Sequence, residues 1–262
     1  MSTSPPTRSL TSFKLLSFDI YGTLIDWETG ITTALQPLTS RLPSSNPLKA
    51  NRLALAKAFN STETDIQREQ PGLLYSDVLA ECFRRLAHEQ DVQIENEDSE
   101  AEVFAASIGS WPAFPDTVAA MQTLGKHYKL VPLSNVDRAS FSKTLAGPLQ
   151  GVKFDAVYTA QDIGSYKPSV KNFEYLIRRA GEEFGIGKGE VLHVAQSLTH
   201  DVVPCGEIGL VSCWIARGED GVSGMGGDLG ELEGKANFMW RFPDLGALAK
   251  EVVKEVEEEG KR

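Results

Sequence analysis

The sequence predicts an α/β fold: a doubly wound parallel sheet with a block of helices inserted after its first strand. Three observations carry that prediction. Short apolar runs recur along the chain and are mostly continuous rather than alternating, as in strands covered on both faces. Helix-like segments separate them, which implies a parallel sheet built from crossover connections. The alternation breaks once, for about a hundred residues after the first run, far longer than an ordinary connection.

Taken in order, the expected strands are residues 13–20, 128–134, 154–159, 191–196 and 211–216, with a weaker one at 237–242. Residues 118–127, 140–145 and 170–184 read as helices between them. The long interval reads as four helices, at 31–38, 47–70, 75–90 and 99–110, punctuated by a Pro43–Pro47 turn and by Gln70-Pro71-Gly72. We expect a core of residues 1–27 and 114–262 and an inserted helical cap of residues 28–113. An insertion after the first strand lies over the carboxyl ends of the sheet, where open α/β sheets bind ligands, and would exclude water there.

The chain has 262 residues, 41% of them hydrophobic and 24% charged, with a formal net charge of −10. That acidity disfavours nucleic acid and anionic membranes as partners. No apolar run approaches the length of a membrane span. Cys82, Cys205 and Cys213 are too few and too scattered for a disulfide framework or a zinc site, and suit a reducing, cytoplasmic setting. The first twelve residues read as a disordered tail without a signal peptide's apolar stretch. The glycine-rich acidic segment 217–234 reads as a mobile surface loop; it lacks the lysine and helix start of a phosphate cradle. The closing residues 251–262 read as a solvated helix end.

The residues suited to chemistry fall at strand ends. Asp19 follows the first run directly, so its carboxylate lands at the carboxyl edge of the sheet. There it could be a nucleophile, a metal ligand or a helix cap. Gly22 permits a sharp turn, and Thr23 places a hydroxyl just beyond it. Ser134 and Asn135 close the second run, where they could hold an anion or cap a helix. Lys167 follows the third run, and Ser197 and Asp201 follow the fourth.

The strings FDIYGTL, PLSN, SYKPS and HVAQSLTHD, in that order at four successive strand ends, resemble the motifs of the haloacid dehalogenase superfamily. The resemblance spans residues 13–201 and implies a Rossmann-like core under a helical cap. It also implies hydrolysis through a covalent aspartyl ester on Asp19. Lys167 would neutralise that carboxylate and keep its pKa low. Thr23 would support it, and Ser134, Asn135 and the Ile20 amide would hold an anionic group of a small substrate. Asp201 would orient or deprotonate the attacking water.

Two departures from the superfamily's phosphatases matter. Their second aspartate, two positions after the nucleophile, is Tyr21 here. Their magnesium-holding aspartate of the fourth motif is Gln196. Both fit the metal-independent L-2-haloacid dehalogenase branch, which needs no cofactor and in which Tyr21 would wall the pocket. That branch also implies a homodimer. Other departures point elsewhere. Its fourth-motif asparagine is Leu198, its tyrosine six positions after the lysine is Phe173, and its cap arginine has only Arg68 as a candidate. Two alternatives therefore stand beside it: the same chemistry on another small substrate, including a phosphate ester, and a non-catalytic protein on the same fold. His193, His200, Trp27, Trp111 and Phe114 read as structural or supporting residues.

Overall fold

All four residues of Leu15–Phe18 (β1) are buried, so this strand can have neighbours on both edges and cover on both faces. In the computed structural model, which describes residues 8–218, 224 and 226–261, it occupies the middle of a six-stranded sheet. Its partners are Lys129–Ser134 (β2) on one side and Val191–Ala195 (β4) on the other. Tyr158–Thr159 (β3) lies outside β2, and Val211–Ile215 (β5) and Trp240–Phe242 (β6) extend the other half. The order is β3-β2-β1-β4-β5-β6, and every pair is parallel. Leu15 pairs with Lys129 and with Val191, and Phe18 with Pro132 and Val194, so β1 and β4 end side by side. The chain builds outward from β1 to β3 and then returns to start the other half at β4. The strand order therefore reverses between β1 and β4, the kind of point where such sheets open a crevice.

β3 is shorter than the expected 154–159. At its expected start the Asp155 amide still donates to the Leu130 carbonyl (2.8 Å), but the Leu130 amide goes to the Asp155 carboxylate (2.9 Å), which also pairs with Lys129 (2.7 Å), so only one backbone bond joins the chains there.

The interval between β1 and β2 is helical, as expected. It holds Trp27–Ala34 (α1), Gln36–Thr39 (α2), Pro47–Ala50 (α3), Arg52–Glu69 (α4), Tyr75–Glu89 (α5) and Glu97–Ala106 (α6), closed by a 3-10 turn at Ser107–Ser110. Asn51 caps α4, its side chain accepting the Ala54 amide. Leu55, Phe59 and Ile66 then recur on one face of α4. They pack with Val78, Leu79, Phe83 and Leu86 of α5 and with Phe104 of α6, whose ring meets Phe59 and Phe83 at 5.9 and 5.8 Å. The chain enters and leaves this block through one short antiparallel bridge. Ile25 pairs with Ala113, the Asp26 amide donates to Pro112, and the Phe114 amide donates to Leu24.

Six further helices flank the sheet: Thr117–Leu124 (α7), Arg138–Ala146 (α8), Ala160–Ile163 (α9), Val170–Phe184 (α10), Val203–Glu207 (α11) and Leu245–Glu259 (α12). No helix among the described residues is long and apolar enough to cross a membrane.

Three expectations need correction. Residues 1–7 of the expected tail lie outside the described residues, but Leu10–Ser12 forms a 3-10 turn with Leu10 buried and its amide donating to Glu255 (2.7 Å). That contact, and buried Val252, also make the start of the closing segment part of the core. Residues 219–223 and 225 of the glycine-rich segment lie outside the described residues. Its described parts are not a surface loop throughout, since Gly224 and Gly226 are buried.

Candidate active site

Asp19 leaves β1 with its amide bonded to the carbonyl of Val194 on β4 (3.1 Å), which aims it into the crevice between the two strands. Behind it, the Ile20 carbonyl accepts the amides of Thr23, Leu24 and Ile25, a tight turn that Gly22 permits with φ at 101°. The turn brings the Thr23 hydroxyl back to Asp19 Oδ2 at 2.8 Å. The Gln196 amide donates to the same hydroxyl at 2.9 Å, so Thr23 has one free direction in which to donate, toward the carboxylate.

Lys167 lies between two carboxylates. Its Nζ is 2.8 Å from Asp19 Oδ1 and 2.7 Å from Asp201 Oδ1, and its side chain is almost wholly buried. Asn135 fixes its backbone from both sides, accepting the Lys167 amide (2.7 Å) and donating to the Lys167 carbonyl (3.1 Å). Asp201 sits on a single π-helical turn, Leu198–Val202, which Ser197 caps by accepting the His200 amide. His193 reaches Asp201 Oδ1 from β4 at 2.8 Å, while its Nδ1 meets the Ser17 hydroxyl at 3.1 Å. A carboxylate only accepts, so the proton on Nε2 points to Asp201 and Nδ1 takes the serine hydroxyl. The second Asp201 oxygen is buried with no protein partner among the described residues.

The electrostatics differ from the expectation that Lys167 keeps the Asp19 pKa low. Burial pushes the Asp19 carboxyl up; Lys167 pulls it down, Asp201 pushes it up, and the balance lies above the ordinary value. Asp201 goes the other way. Burial opposes its charge, but Lys167 and His193 outweigh it and hold the carboxyl well below the usual range. Burial also works against the Lys167 charge, and the two carboxylates more than restore it. One ammonium thus serves two acids, and the shortfall falls on Asp19.

One cleft gathers most of the expected residues: Asp19, Tyr21, Ser134, Asn135, Lys167, Ser197 and Asp201 all line it. Tyr21 forms part of the wall, its hydroxyl 2.8 Å from Thr144 Oγ1 and its ring edge-on to Trp111 at 5.7 Å. The Asn135 side chain, expected on a ligand, is spent on the Lys167 backbone instead. Phe173 is not in the lining: it is wholly buried behind the site, edge-on to His193 at 5.3 Å. Arg68 is displaced as well. It points outward, 73% exposed, and pairs with Asp65. The inward stripe of α4 runs through Phe59 and Ile66, and Arg68 lies on the opposite side of the helix two residues past Ile66.

Sequence reasoning missed the roof. Trp27, expected only to pack, lines the cleft with Glu63, Gln67 and Tyr75. Burial pushes the Glu63 carboxyl up to about 7, against a hydrogen bond from Tyr75 that lowers it. A signal was present, because Glu63 interrupts the apolar Phe59–Ile66 stripe. Also missed was the brace under Thr23. Buried Arg217 donates to the Thr23 carbonyl (3.0 Å), pairs with Asp116 (2.6 Å) and covers Phe114 at 4.0 Å. No periodicity links residues 116 and 217, so the sequence carried no sign of it.

The roof is fastened to the floor at two further points: the Tyr166 hydroxyl donates to the Leu73 carbonyl (2.6 Å), and the Ser76 amide donates to Asp137 (3.1 Å).

The fold has structural counterparts. An L-2-haloacid dehalogenase superposes with a TM-score of 0.72 at 21% identity, covering 92% of this chain and 99% of that one. The L-2-haloacid dehalogenase of Xanthobacter autotrophicus with chloropropionic acid covalently bound gives 0.70 at 17%, covering 92% and 98%. A HAD hydrolase of Bacillus subtilis bound to magnesium gives 0.69 at 18%, covering 92% and 99%. Among curated proteins, none matches the chain. At these identities the likeness concerns the fold. A family model described as haloacid dehalogenase-like hydrolase matches residues 13–203, from the first strand through the π turn that carries Asp201. With four motif strings at four strand ends and a match over most of its length, the chain belongs to the haloacid dehalogenase-like hydrolases.

Proposed function

We propose that the protein is a metal-independent hydrolase that uses Asp19 as a covalent nucleophile on a short 2-haloalkanoic acid. The observation that carries this reading is Lys167 Nζ held between Asp19 and Asp201. The ammonium stands where it can keep one carboxylate ionised for attack and orient the other. Asp19 displaces halide from C2, and the electron pair of the carbon–halogen bond leaves with the halide. Water then attacks the aspartyl carboxyl carbon, releasing the 2-hydroxy acid and one proton and restoring Asp19.

The unpartnered Asp201 oxygen suits a water acceptor. An acid held that low is a weak base, so Asp201 orients the water more than it deprotonates it. Thr23 aligns Asp19, and Ser134 with the Ile20 amide receives the substrate carboxylate. Tyr21, Ser197 and Trp27 shape the cleft, while Phe173 acts only by packing against His193.

The donor set does not suit magnesium. One Asp201 oxygen is committed to Lys167 and His193, and the fourth-motif position that carries a magnesium-holding aspartate in the superfamily's phosphatases is the neutral Gln196 here.

We further propose that residues 28–113 act as the cap and residues 1–27 with 114–262 as the core, the Ile25–Ala113 bridge marking the passage between them. Three buried free cysteines support a reducing, cytoplasmic setting, and a homodimer is the arrangement to test first in solution. Glu63 favours a second reading, the same covalent chemistry on another small substrate, because the roof presents an acid where a haloacid site would profit from a cation.

The deciding experiment measures halide release from L-2-chloropropionate with and without EDTA, alongside Asp19→Asn. The reading predicts release that is indifferent to EDTA and absent in the variant. A single turnover in oxygen-18 water should label Asp19. Absence of label with every short haloacid would sink the covalent mechanism.

A further inference from the structure

The roof carries a buried acid for which the chemistry above has no use. Glu63 lies on the inward face of α4, 6% exposed, and lines the same cleft as Asp19, Lys167 and Asp201. Tyr75 hydrogen-bonds it from α5, and the Tyr75 ring stacks on Tyr21 at 6.4 Å, so the acid is held on a rigid aromatic wall. Burying a carboxylate is costly unless it is paired. Among the described residues, no lysine or arginine pairs with Glu63. The one ammonium in the lining, Lys167, is already shared by two carboxylates, and no arginine joins it. Three carboxyl groups therefore face one cation, and a simple anionic substrate would add to the imbalance.

We propose that Glu63 is a specificity-determining residue that binds a primary ammonium group on the substrate, opposite the carbon attacked by Asp19. The substrate class is a short 2-halo acid with an amino group at its far end. Its carboxylate sits at Ser134 and the Ile20 amide, on the sheet, while its ammonium faces the roof. This deepens the reading of the cleft as the substrate site of Asp19 and rests on it. The ammonium takes no part in bond making: halide leaves C2, water cleaves the aspartyl ester, and a 2-hydroxy acid departs with its amine intact. A buried cation beside Glu63 supplies the charge that the roof lacks, and a plain haloacid leaves that charge unmet.

The test is calorimetric titration of the full chain at pH 8 with 4-aminobutyrate and with butyrate, two unreactive probes that differ by the ammonium. We expect 4-aminobutyrate to bind about ten-fold tighter or more, Glu63→Gln to bring the ratio to about one, and Glu63→Asp to keep a preference. Equal or tighter binding of butyrate to the unmodified protein, or a preference that survives in Glu63→Gln, overturns the proposal. If Glu63→Gln fails to fold, the ratio in the unmodified protein and in Glu63→Asp still decides. Neither probe carries a halogen, so this result is separate from the halide-release experiment: loss of the Asp19 reading and loss of the Glu63 preference appear in different measurements.

Discussion

The Thr23 hydroxyl stands 2.8 Å from Asp19 Oδ2 and donates to it, because the Gln196 amide already occupies the hydroxyl's acceptor side. Removing that hydroxyl takes a charge-assisted bond, worth about 1.5–3 kcal/mol, from a carboxylate already raised by burial. Thr23→Val should lower kcat/KM by roughly ten-fold or more, and its acid limb should move to higher pH, since the remaining forces on Asp19 favour the neutral form. A kcat/KM profile between pH 4 and 9 checks both; an unchanged acid limb would show that Thr23 only packs.

Glu63 gives a pH signature in stability. Its carboxyl lies at about 7 in the fold against an ordinary 4.5, so the folded state binds more protons between those values. Stability from this group is present below about pH 4.5 and is lost as pH rises through 7. Tyr75, Tyr166 and Cys82 beside it are all raised above their ordinary values and stay neutral through this window. Glu63→Gln should therefore stabilise the protein at pH 8, by on the order of 2–3 kcal/mol, and change little at pH 4.5. Urea unfolding at the two pH values reads the difference.

His193 supports Asp201 with a bond that Asp19 does not share. His193→Leu leaves the Asp201 charge with Lys167 alone. Asp201 is held low in the fold, so its stabilising contribution exists above the ordinary carboxylate range and disappears as pH falls through the lowered value. The variant should lose about 1–3 kcal/mol at pH 7 and markedly less near pH 2. Equal loss at both values, measured by thermal or chemical unfolding, would mean that only packing against Phe173 was removed.

Arg217→Met removes the brace beneath the Thr23 carbonyl and leaves Asp116 half-buried without its cation. Part of the Asp116 charge is retained by the Leu245 and Gly246 amides, so the expected loss is about 3 kcal/mol, at the lower end for a broken buried pair. Activity should fall further than stability explains, because Thr23 loses its support. Comparing kcat of the folded fraction with the unfolding midpoint separates the two effects.

The floor of the site was legible because strand ends carry position: Asp19, Ser134, Lys167 and Asp201 each stand at or beyond the end of an apolar run, and parallel strands end together. The roof was not. A helix is easy to find at 47–70, but whether Arg68 or Glu63 faces the cleft depends on which stripe packs, and only Phe59 and Ile66 against α5 and α6 settle that. Asn135 shows a different gap. Its residue type fits a ligand contact and a backbone clamp equally, and the choice depends on the path of the chain at Lys167. Arg217 and Asp116 meet across 101 residues without a motif.

The bridge between Ile25 and Ala113 also affects how the sheet assembles. From the strands' side, the whole helical block is a loop whose mouth is already shut, because both of its ends meet at that bridge. Aligning Leu15 with Lys129 then carries the closure entropy of a short connection, however many residues are threaded beyond Ile25.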